Sequence, residues 1–504
     1  MQCEGNIVIN ASAGTGKTYT TIQRINQDKE NNSNHRTFAA ITFTRKAANE
    51  IASRLGNSKQ EGFIGTNDNF IRLEIIQPFM HDVYGKDFKK EINPDFSTDN
   101  EIHCFNEGVE KIKQTSLICK YSEVKQNFAF QLAYEILQKS HAARRYFKSK
   151  YFRIYIDEYQ DSDEDMHNLF MYLCEHIGIS LFIVGDNKQS IYGWRGAYPE
   201  GFNNLKLRDD FNEFKLWHNF RSNIAIQNYS NLFMEDTREH YEEIEFQDEI
   251  ILYTYTGAYM AVDYIGRWVD FSESCAFLNF SNSNAKVWSE RLNEIRVPFE
   301  YIPGSPLDYS NLESEHIWVT RALAKYHLQS RYNEYDFRDE IPMPDSFSFS
   351  KIKHLLKQID PTENNKKFID DCLNLFDYLG YSKDLRKIEH EIDILFDVIN
   401  DEQYIATYNQ SNYKHTCGTI HSSKGLEFNQ VIINAGDFNF QREDANFLHY
   451  VAITRPESRL LIIGNSHQSE SYMAYVQQAI FQSNQLQNNI ELNKVLKGIA
   501  LDMN

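Results

Sequence analysis

The sequence predicts an α/β fold in two domains, each built around parallel β-strands. Short apolar runs rich in β-branched residues recur along the chain, and helical patterns separate many of them, which is typical of strands buried in parallel sheets. With 504 residues, the chain is also too long for one ordinary hydrophobic core. The runs are NIVIN (6–10), FAAIT (38–42), FRIYI (152–156), SLFIVG (180–185), IILYT (250–254), QVIIN (430–434) and LLIIG (460–464).

These runs form two groups, one before and one after about residue 220, and helix-rich segments interrupt both groups. The basic stretch at 139–150 is most simply an amphipathic helix that leads into the next strand. The predicted boundaries are 1–75 and 149–220 for the first sheet domain, 76–148 for its helical insert, 221–308 and 411–485 for the second sheet domain, 309–410 for a reduced helical insert, and 486–504 for a C-terminal tail.

The composition is that of a globular protein in a reducing compartment. The formal net charge of −19 argues against a surface coated with nucleic acid, although a local groove can still hold a strand. The seven cysteines are scattered without a C-x-x-C pair, which argues against a zinc site or a disulfide framework. Because the sequence shows no signal-peptide pattern and no apolar run of about 18 residues, we expect a cytoplasmic protein with no membrane partner.

The first strand is followed by ASAGTGKT (11–18), a glycine-containing loop at the start of a predicted helix. Gly14 and Gly16 allow a tight turn that directs backbone N–H groups toward phosphate oxygens. Lys17 supplies charge near the β- and γ-phosphates, and Thr18 can place its hydroxyl on Mg²⁺. Ala11 stands where the strict pattern has glycine. The predicted nucleotide-binding residues of this loop are Ala11, Ser12, Ala13, Gly14, Thr15, Gly16, Lys17 and Thr18.

The strand FRIYI ends in two adjacent carboxylates. Asp157 can hold Mg²⁺, usually through water, and Glu158 is then placed to polarise the water that attacks the γ-phosphate. The alternative interpretation is an acidic loop whose carboxylates only cap the next helix, because such a loop would carry the same residues. The combination with Lys17 and Thr18 upstream favours an ATP and Mg²⁺ site in which Thr18 and Asp157 are the metal ligands.

Seven ordered motifs resemble those of the UvrD/Rep/PcrA-type superfamily 1 DNA helicases over nearly the whole chain. They are ASAGTGKT (11–18), ITFTRKAANEIASRL (41–55), IDEYQDSD (156–163), VGDNKQSIYGWRGA (184–197), NFRS (219–222), TIHSSKGLEFNQVII (419–433) and YVAITR (450–455). The resemblance implies two RecA-like P-loop NTPase domains with parallel sheets. It also implies an ATP-dependent translocase that moves 3′ to 5′ along single-stranded DNA.

Carried over residue by residue, the resemblance implies further contacts. Gln189 would sense the γ-phosphate, and Arg221 and Arg455 would reach it from the second domain, where they would stabilise the charge that builds during phosphoryl transfer. Phe220 would stack on the nucleotide base, and Glu427 would touch the ribose. The implied DNA-binding residues are Thr42, Phe43, Tyr192, Trp194, Arg195, Thr419 and His421.

Several positions depart from the family pattern. Only ten residues precede the P-loop, so we expect the motif that reads adenine to be missing or reduced, and other NTPs or dNTPs stay open as substrates beside ATP. Asp68 and Asn279 stand where the family usually has histidine and arginine. About 100 residues lie between 309 and 410, so the second insert is smaller than the family usually has.

Segments such as FIGTNDNFI (63–71) and SNLFMEDTREH (230–240) resemble the compact GajB-type helicase-like subunits of bacterial Gabija anti-phage defence systems. That resemblance implies a protein partner, a GajA-like OLD/Toprim nuclease. Two functions stay open: a motor that moves along and unwinds DNA, and an NTPase that senses DNA ends or single strands and activates the nuclease without processive unwinding. A catalytically dead scaffold is disfavoured, because the nucleotide residues of the motifs are present.

Overall fold

The computed structural model describes residues 4–43, 45–56, 62–89, 92–94, 101–123, 125–191, 196–242, 244, 248–308, 317–340, 348–380, 385–486 and 489–500. The chain divides into two compact units. The first consists of Met1–Asn93, Glu101–Gly257 and Lys424–Asn504, and the second of Pro94–Asn100 and Ala258–Ser423.

The strands of the described residues include all seven of the predicted apolar runs. They are β1 (Asn6–Ala11), β2 (Thr37–Thr42), β3 (Phe63–Thr66), β4 (Asn93–Pro94), β5 (Leu117–Ile118), β6 (Tyr151–Ile156), β7 (Ser180–Gly185), β8 (Phe211–Leu216), β9 (Ile250–Tyr255), β10 (Cys275–Asn279), β11 (Glu300–Tyr301), β12 (His415–Thr419), β13 (Phe428–Asn434), β14 (Pro456–Asn465) and β15 (Lys497–Ala500).

The helices of the described residues cluster in the two segments predicted to be helix-rich and in the strand-to-strand connections. They are α1 (Lys17–Asn31), α2 (Arg45–Leu55), α3 (Asn67–Phe70), α4 (Gln77–Tyr84), α5 (Phe105–Thr115), α6 (Phe128–Lys139), α7 (His141–Lys150), α8 (Glu164–Tyr172), α9 (Pro199–Leu205), α10 (Ile224–Leu232), α11 (Ala258–Trp268), α12 (Asn282–Glu294), α13 (Ile317–Leu328), α14 (Glu334–Glu340), α15 (Phe349–Gln358), α16 (Asn365–Tyr378), α17 (Leu385–Asn400), α18 (Ile405–Tyr408), α19 (Glu443–Ile453), α20 (Ser466–Asn484) and α21 (Leu492–Val495).

A six-stranded parallel sheet organises the first unit, in the order β3-β2-β6-β7-β1-β8. Its inner strands are mostly buried and largely apolar, as expected of strands covered on both faces. Ile22 and Ile25 of α1 pack onto this sheet, and burying each isoleucine stabilises the fold by about 1.5–3 kcal/mol. The carboxyl ends of parallel strands meet at one edge, and the ends of β1, β6 and β7 are followed by three of the motifs.

Four more parallel strands of the first unit run in the order β13-β14-β9-β15. In the second unit, β11, β12 and β10 pair in parallel. Helices α13 to α17 of that unit enclose a hydrophobic core of their own, which includes Leu323, Phe337, Leu356, Phe368 and Leu395. The predicted α/β fold class with parallel sheets is therefore confirmed.

Residues 141–150 of the basic stretch form α7, which buries Ala143 and Phe147 and runs directly into β6. This is the amphipathic helix that the sequence predicts. Within the described part of the chain, every helix is either too short or too polar to cross a lipid bilayer.

Candidate nucleotide-binding site

The loop between β1 and α1 has the backbone that phosphate binding requires. Gly14 and Gly16 adopt the left-handed conformation, with φ values of 72° and 77°. A Cβ atom at Gly14 would lie 2.1 Å from Oδ1 of Asn219, so any other residue would force the loop or Asn219 to move. Gly16 precedes α1, and the first turn of this helix contains no acidic residue. The free N–H groups of that turn and the positive end of the helix dipole can therefore face an anion.

Lys17 begins α1 and lies beside the acidic pair. Its ammonium nitrogen is 3.4 Å from Oε1 of Glu158, and this buried nitrogen finds no hydrogen-bond partner among the described residues. Thr18 follows in the first turn and is half-buried. A buried ammonium group with unused donors is what a phosphate-binding lysine presents, so the residues present fit a nucleotide phosphate.

The acidic pair lies at the carboxyl end of β6. The Asp157 N–H donates to the Ile41 carbonyl of β2, and Oδ1 of Asp157 accepts the Glu158 N–H at 2.9 Å. Glu158 itself has φ 54°, the left-handed conformation that costs a residue with a side chain about 1–2 kcal/mol. Strain of this kind is common at functional sites.

The two carboxyl groups differ in protonation behaviour. Burial raises the pKa of Asp157, and the neighbouring Glu158 carboxylate adds to this effect. Burial alone would also raise the pKa of Glu158, but the ammonium groups of Lys17 and Lys424 outweigh burial and lower it. Glu158 is therefore the carboxylate that is held ionised.

In the described part of the chain, no three His, Cys, Asp or Glu side chains form a metal site. Mg²⁺ that binds together with a nucleotide needs only one or two protein ligands.

A chain of amide and carboxylate groups connects Glu158 to Gln189. The Gln160 side-chain amide donates to Oε2 of Glu158, and Oε1 of Gln160 accepts the Asp186 N–H at 2.9 Å. Oδ2 of Asp186 accepts from Nε2 of Gln189 at 2.7 Å. Gln160, Asp186 and Gln189 are buried, so each hydrogen bond limits the freedom of the next side chain.

Arg455 contacts this series of hydrogen-bonded side chains at Gln189. It lies just beyond the end of α19 and is 1% exposed, with a guanidinium nitrogen 3.4 Å from Oε1 of Gln189. The carbonyls of Val451 and Leu426 hold the rest of the guanidinium group. Burial and the nearby Arg221 lower the pKa of Arg455 to about 10, which leaves it charged at pH 7.

Arg221 and Phe220 lie next to the P-loop. The Phe220 N–H donates to the Gly14 carbonyl, while the Phe220 ring is 78% exposed and available for stacking. One guanidinium nitrogen of Arg221 lies 2.7 Å from Oε1 of Glu427. Nε of Arg221 is buried without a partner among the described residues. Glu427 thus contacts Arg221, and its predicted contact with the ribose stays a prediction.

Lys424 also belongs to the site, although the sequence motifs predicted no role for it. Its ammonium group lies 2.6 Å from Oδ2 of Asp161 and 3.0 Å from the Gln189 carbonyl. Burial raises the pKa of Asp161 to about 6 in spite of this partner. A signal was present in the sequence, because Lys424 lies inside HSSKGLEF and Asp161 inside DEYQD.

The structure describes four of the seven predicted DNA-binding residues. Thr42 ends β2 and is buried, and Phe43 follows it half-buried. In the second unit, the Thr419 hydroxyl bonds to Ser422, and His421 is half-buried. The remaining three predicted DNA contacts lie outside the described residues; they are Tyr192, Trp194 and Arg195.

Two family models match the chain. The UvrD/REP helicase N-terminal domain matches residues 1–128 and 100–211, and the UvrD-like helicase C-terminal domain matches residues 321–467. The two matches together cover the P-loop, the acidic pair, Gln189, Lys424 and Arg455.

Individual relatives agree with the models. The chain is 39% identical to Gabija protein GajB of Bacillus cereus, over 93% of this chain and 95% of the relative. It is 23% identical to the ATP-dependent DNA helicase PcrA of Staphylococcus epidermidis, over 91% of this chain and 81% of the relative. A probable DNA helicase II homolog of Rickettsia conorii is 31% identical over 45% of this chain and 42% of the relative.

Proposed function

Since the chain belongs to the UvrD-like helicases, which are DNA-dependent ATPases, we propose that it is an ATP-dependent translocase that moves 3′ to 5′ on single-stranded DNA. The observation that carries the proposal is the connected set Lys17, Glu158, Gln189 and Arg455. These residues come from four separate motifs, and they are linked through ion pairs and hydrogen bonds within one compact unit.

The residues fit ATP with Mg²⁺, the combination that UvrD-type helicases use. Backbone N–H groups of residues 11–16 and the Lys17 ammonium group would hold the phosphates, and Thr18 and Asp157 would hold Mg²⁺. The metal would supply neutralisation of phosphate charge. Phe220 would stack on the base. Other NTPs and dNTPs stay open as substrates beside ATP.

Glu158 would act as the general base. Its carboxylate is kept ionised by Lys17 and Lys424 and is oriented by Gln160, so it can accept a proton from the attacking water. Arg455 and Arg221 would stabilise charge on the transferred phosphoryl group. Arg455 also contacts Gln189. Loss of the transferred phosphoryl group on hydrolysis would therefore change the contacts of both residues.

On the DNA side, we propose that Thr42, Phe43, Tyr192, Trp194, Arg195, Thr419 and His421 contact a single strand. Stacking of a base on an aromatic side chain contributes about 1–3 kcal/mol and reads no sequence. Such contacts suit a protein with a net charge of −19, because they do not depend on an extended basic surface. The domain boundaries inferred from the sequence belong to the same proposal.

The second candidate function is a DNA-sensing NTPase of an anti-phage system. The observation that favours it is the match to Gabija protein GajB along nearly the full length of both chains. In this role the chain would recognise DNA ends or single strands in the bacterial cytoplasm. It would then activate a GajA-like OLD/Toprim nuclease without processive unwinding.

One pair of assays separates the two candidates. NTP hydrolysis by the purified chain is measured with and without single-stranded DNA, beside strand separation of a 3′-tailed duplex. We expect hydrolysis that DNA stimulates. Unwinding of the 3′-tailed duplex, with none of a 5′-tailed control, supports the translocase; stimulated hydrolysis without unwinding supports the sensor. Hydrolysis that DNA does not stimulate contradicts both candidates.

A further inference from the structure

A buried lysine lies in the turn that carries Gln189. The turn Asn187–Gln189 is 3₁₀-helical, and the Asp186 carboxylate accepts the Lys188 backbone N–H at its start. Lys188 is 5% exposed. Its ammonium group lies 3.0 Å from Oδ1 of Asp186 and 3.0 Å from Oδ2 of Asp236. Because lysine is rarely buried unless carboxylates compensate its charge, both acceptors matter.

The two carboxylates have different surroundings. Asp186 is fully buried at the start of the turn. The Asp236 side chain is 44% exposed and lies 48 residues after Lys188 in the sequence. Burial alone would lower the pKa of Lys188, but Asp186, the Tyr450 hydroxyl and Asp236 outweigh burial and raise it. Lys188 is therefore a cation shared between two anions.

Asp186 also determines which end of the Gln189 amide faces Arg455. Oδ1 of Asp186 is bound to Lys188, and Oδ2 accepts from Nε2 of Gln189. Oε1 of Gln189 is consequently the atom that faces the guanidinium group of Arg455. A rotated amide would place two donors against each other and would leave the buried Asp186 oxygen without a partner, which is costly.

We propose that Asp236 is a positioning residue for Gln189 and acts through Lys188 and Asp186. This inference rests on the proposed NTPase function. Asp236 draws the Lys188 ammonium group to a point between the two carboxylates. Without Asp236, Lys188 turns fully onto Asp186 and competes with Gln189 for its oxygens, and the amide loses its fixed orientation.

The test compares steady-state ATP hydrolysis, with saturating single-stranded DNA, in the wild type and in Asp236→Asn. We expect kcat to fall about fivefold to tenfold, and KM for ATP to change less than twofold, because the P-loop contacts stay intact. Asp236→Glu should recover at least half of the wild-type kcat. Glu235→Gln is the matched control, since it removes the same charge from the adjacent exposed side chain and should behave as the wild type.

A double-mutant cycle distinguishes coupling between Asp236 and Lys188 from separate structural effects of the two substitutions. In a Lys188→Met background no ammonium group competes for Asp186, so adding Asp236→Asn should change kcat less than twofold, because Asp236 acts only through Lys188. Both variants that carry Lys188→Met leave the buried Asp186 carboxylate without its cation, so their thermal unfolding is measured beside kcat. A double-variant kcat lowered by the product of the two single effects would overturn the inference.

The outcomes also distinguish this inference from the function on which it rests. A wild-type chain that hydrolyses no NTP contradicts the proposed function. A wild-type chain that hydrolyses ATP, beside an Asp236→Asn variant with unchanged kcat, contradicts only the role of Asp236. A variant in which KM rises and kcat is unchanged contradicts it as well, because that pattern indicates lost ground-state binding.

Discussion

At the scale of single residues, Glu158 differs from an ordinary helix-capping carboxylate. Its backbone is in the left-handed region at φ 54°, its side chain accepts from Gln160, and two lysines lower its pKa. A capping role would require none of these features. The strain is held by neighbours, including the bond from the Glu158 N–H to the Asp157 carboxylate. These properties keep the Glu158 carboxylate ionised and fixed in place, which supports its proposed role of polarising the attacking water.

Glu158→Gln should abolish turnover while retaining nucleotide binding. Glutamine has the same shape but cannot accept the proton of the attacking water, so we expect kcat to fall by about 10²–10⁴. ATP hydrolysis and equilibrium binding of a fluorescent ATP analogue are the two measurements. Glu200→Gln, an exposed change on α9, is the control. A Glu158→Gln variant that keeps more than a tenth of wild-type kcat would remove Glu158 from this role.

At the scale of elements, the connection from β1 to α1 depends on packing as well as on its own sequence. Asn219 lies against Gly14 and also accepts the N–H groups of Arg221 and Ser222. The NFRS turn therefore touches the P-loop directly. The shape of the phosphate loop is consequently sensitive to this second motif, which lies about 200 residues away.

Gly14→Ala should destroy nucleotide binding and leave the fold intact. The new Cβ would lie 2.1 Å from Oδ1 of Asn219 at a backbone with φ 72°, so the loop or the NFRS turn must move. We expect the affinity for the ATP analogue to fall at least about tenfold, which is 1.4 kcal/mol. Gly257→Ala meets no atom within 4 Å and should bind as the wild type. Equal affinities of the two variants would contradict the packing argument.

At the scale of the whole molecule, nucleotide state and DNA contact are expected to communicate through one short stretch. Gln189 belongs to the buried network that includes Arg455, and Tyr192, Trp194 and Arg195 follow within six residues. With so few residues between them, the two ends cannot move independently over large distances. The stretch therefore predicts that DNA binding and hydrolysis are coupled.

Trp194→Ala should spare basal ATP hydrolysis and lose its stimulation by single-stranded DNA. The change removes one stacking contact, worth about 1–3 kcal/mol, and touches no predicted nucleotide contact. Hydrolysis is measured across a titration of DNA. Tyr259→Ala serves as the control, because it removes an aromatic ring that is 74% exposed on α11. Loss of basal hydrolysis in Trp194→Ala would count against the predicted role of this residue.

The sequence alone predicted the parallel α/β fold and the family, and it did so for local reasons. A strand buried on both faces is largely apolar, as in β1 and β7. A phosphate loop favours glycine where φ is positive, as at Gly14 and Gly16. These requirements act on neighbouring residues, so they are visible in short stretches of sequence. The family motifs are visible for the same reason.

Tertiary structure decided which partners the motif residues take. Lys188 with Asp236, Arg221 with Glu427, and Arg455 with Gln189 are separated by 48, 206 and 266 residues. No local pattern encodes such pairs, because each depends on how distant elements pack. The sequence by itself therefore determined the parallel sheets and the motifs that follow their strands. Only the packing of those elements decided that Asp186 orients Gln189 toward Arg455 and that Lys188 shares its charge with Asp236.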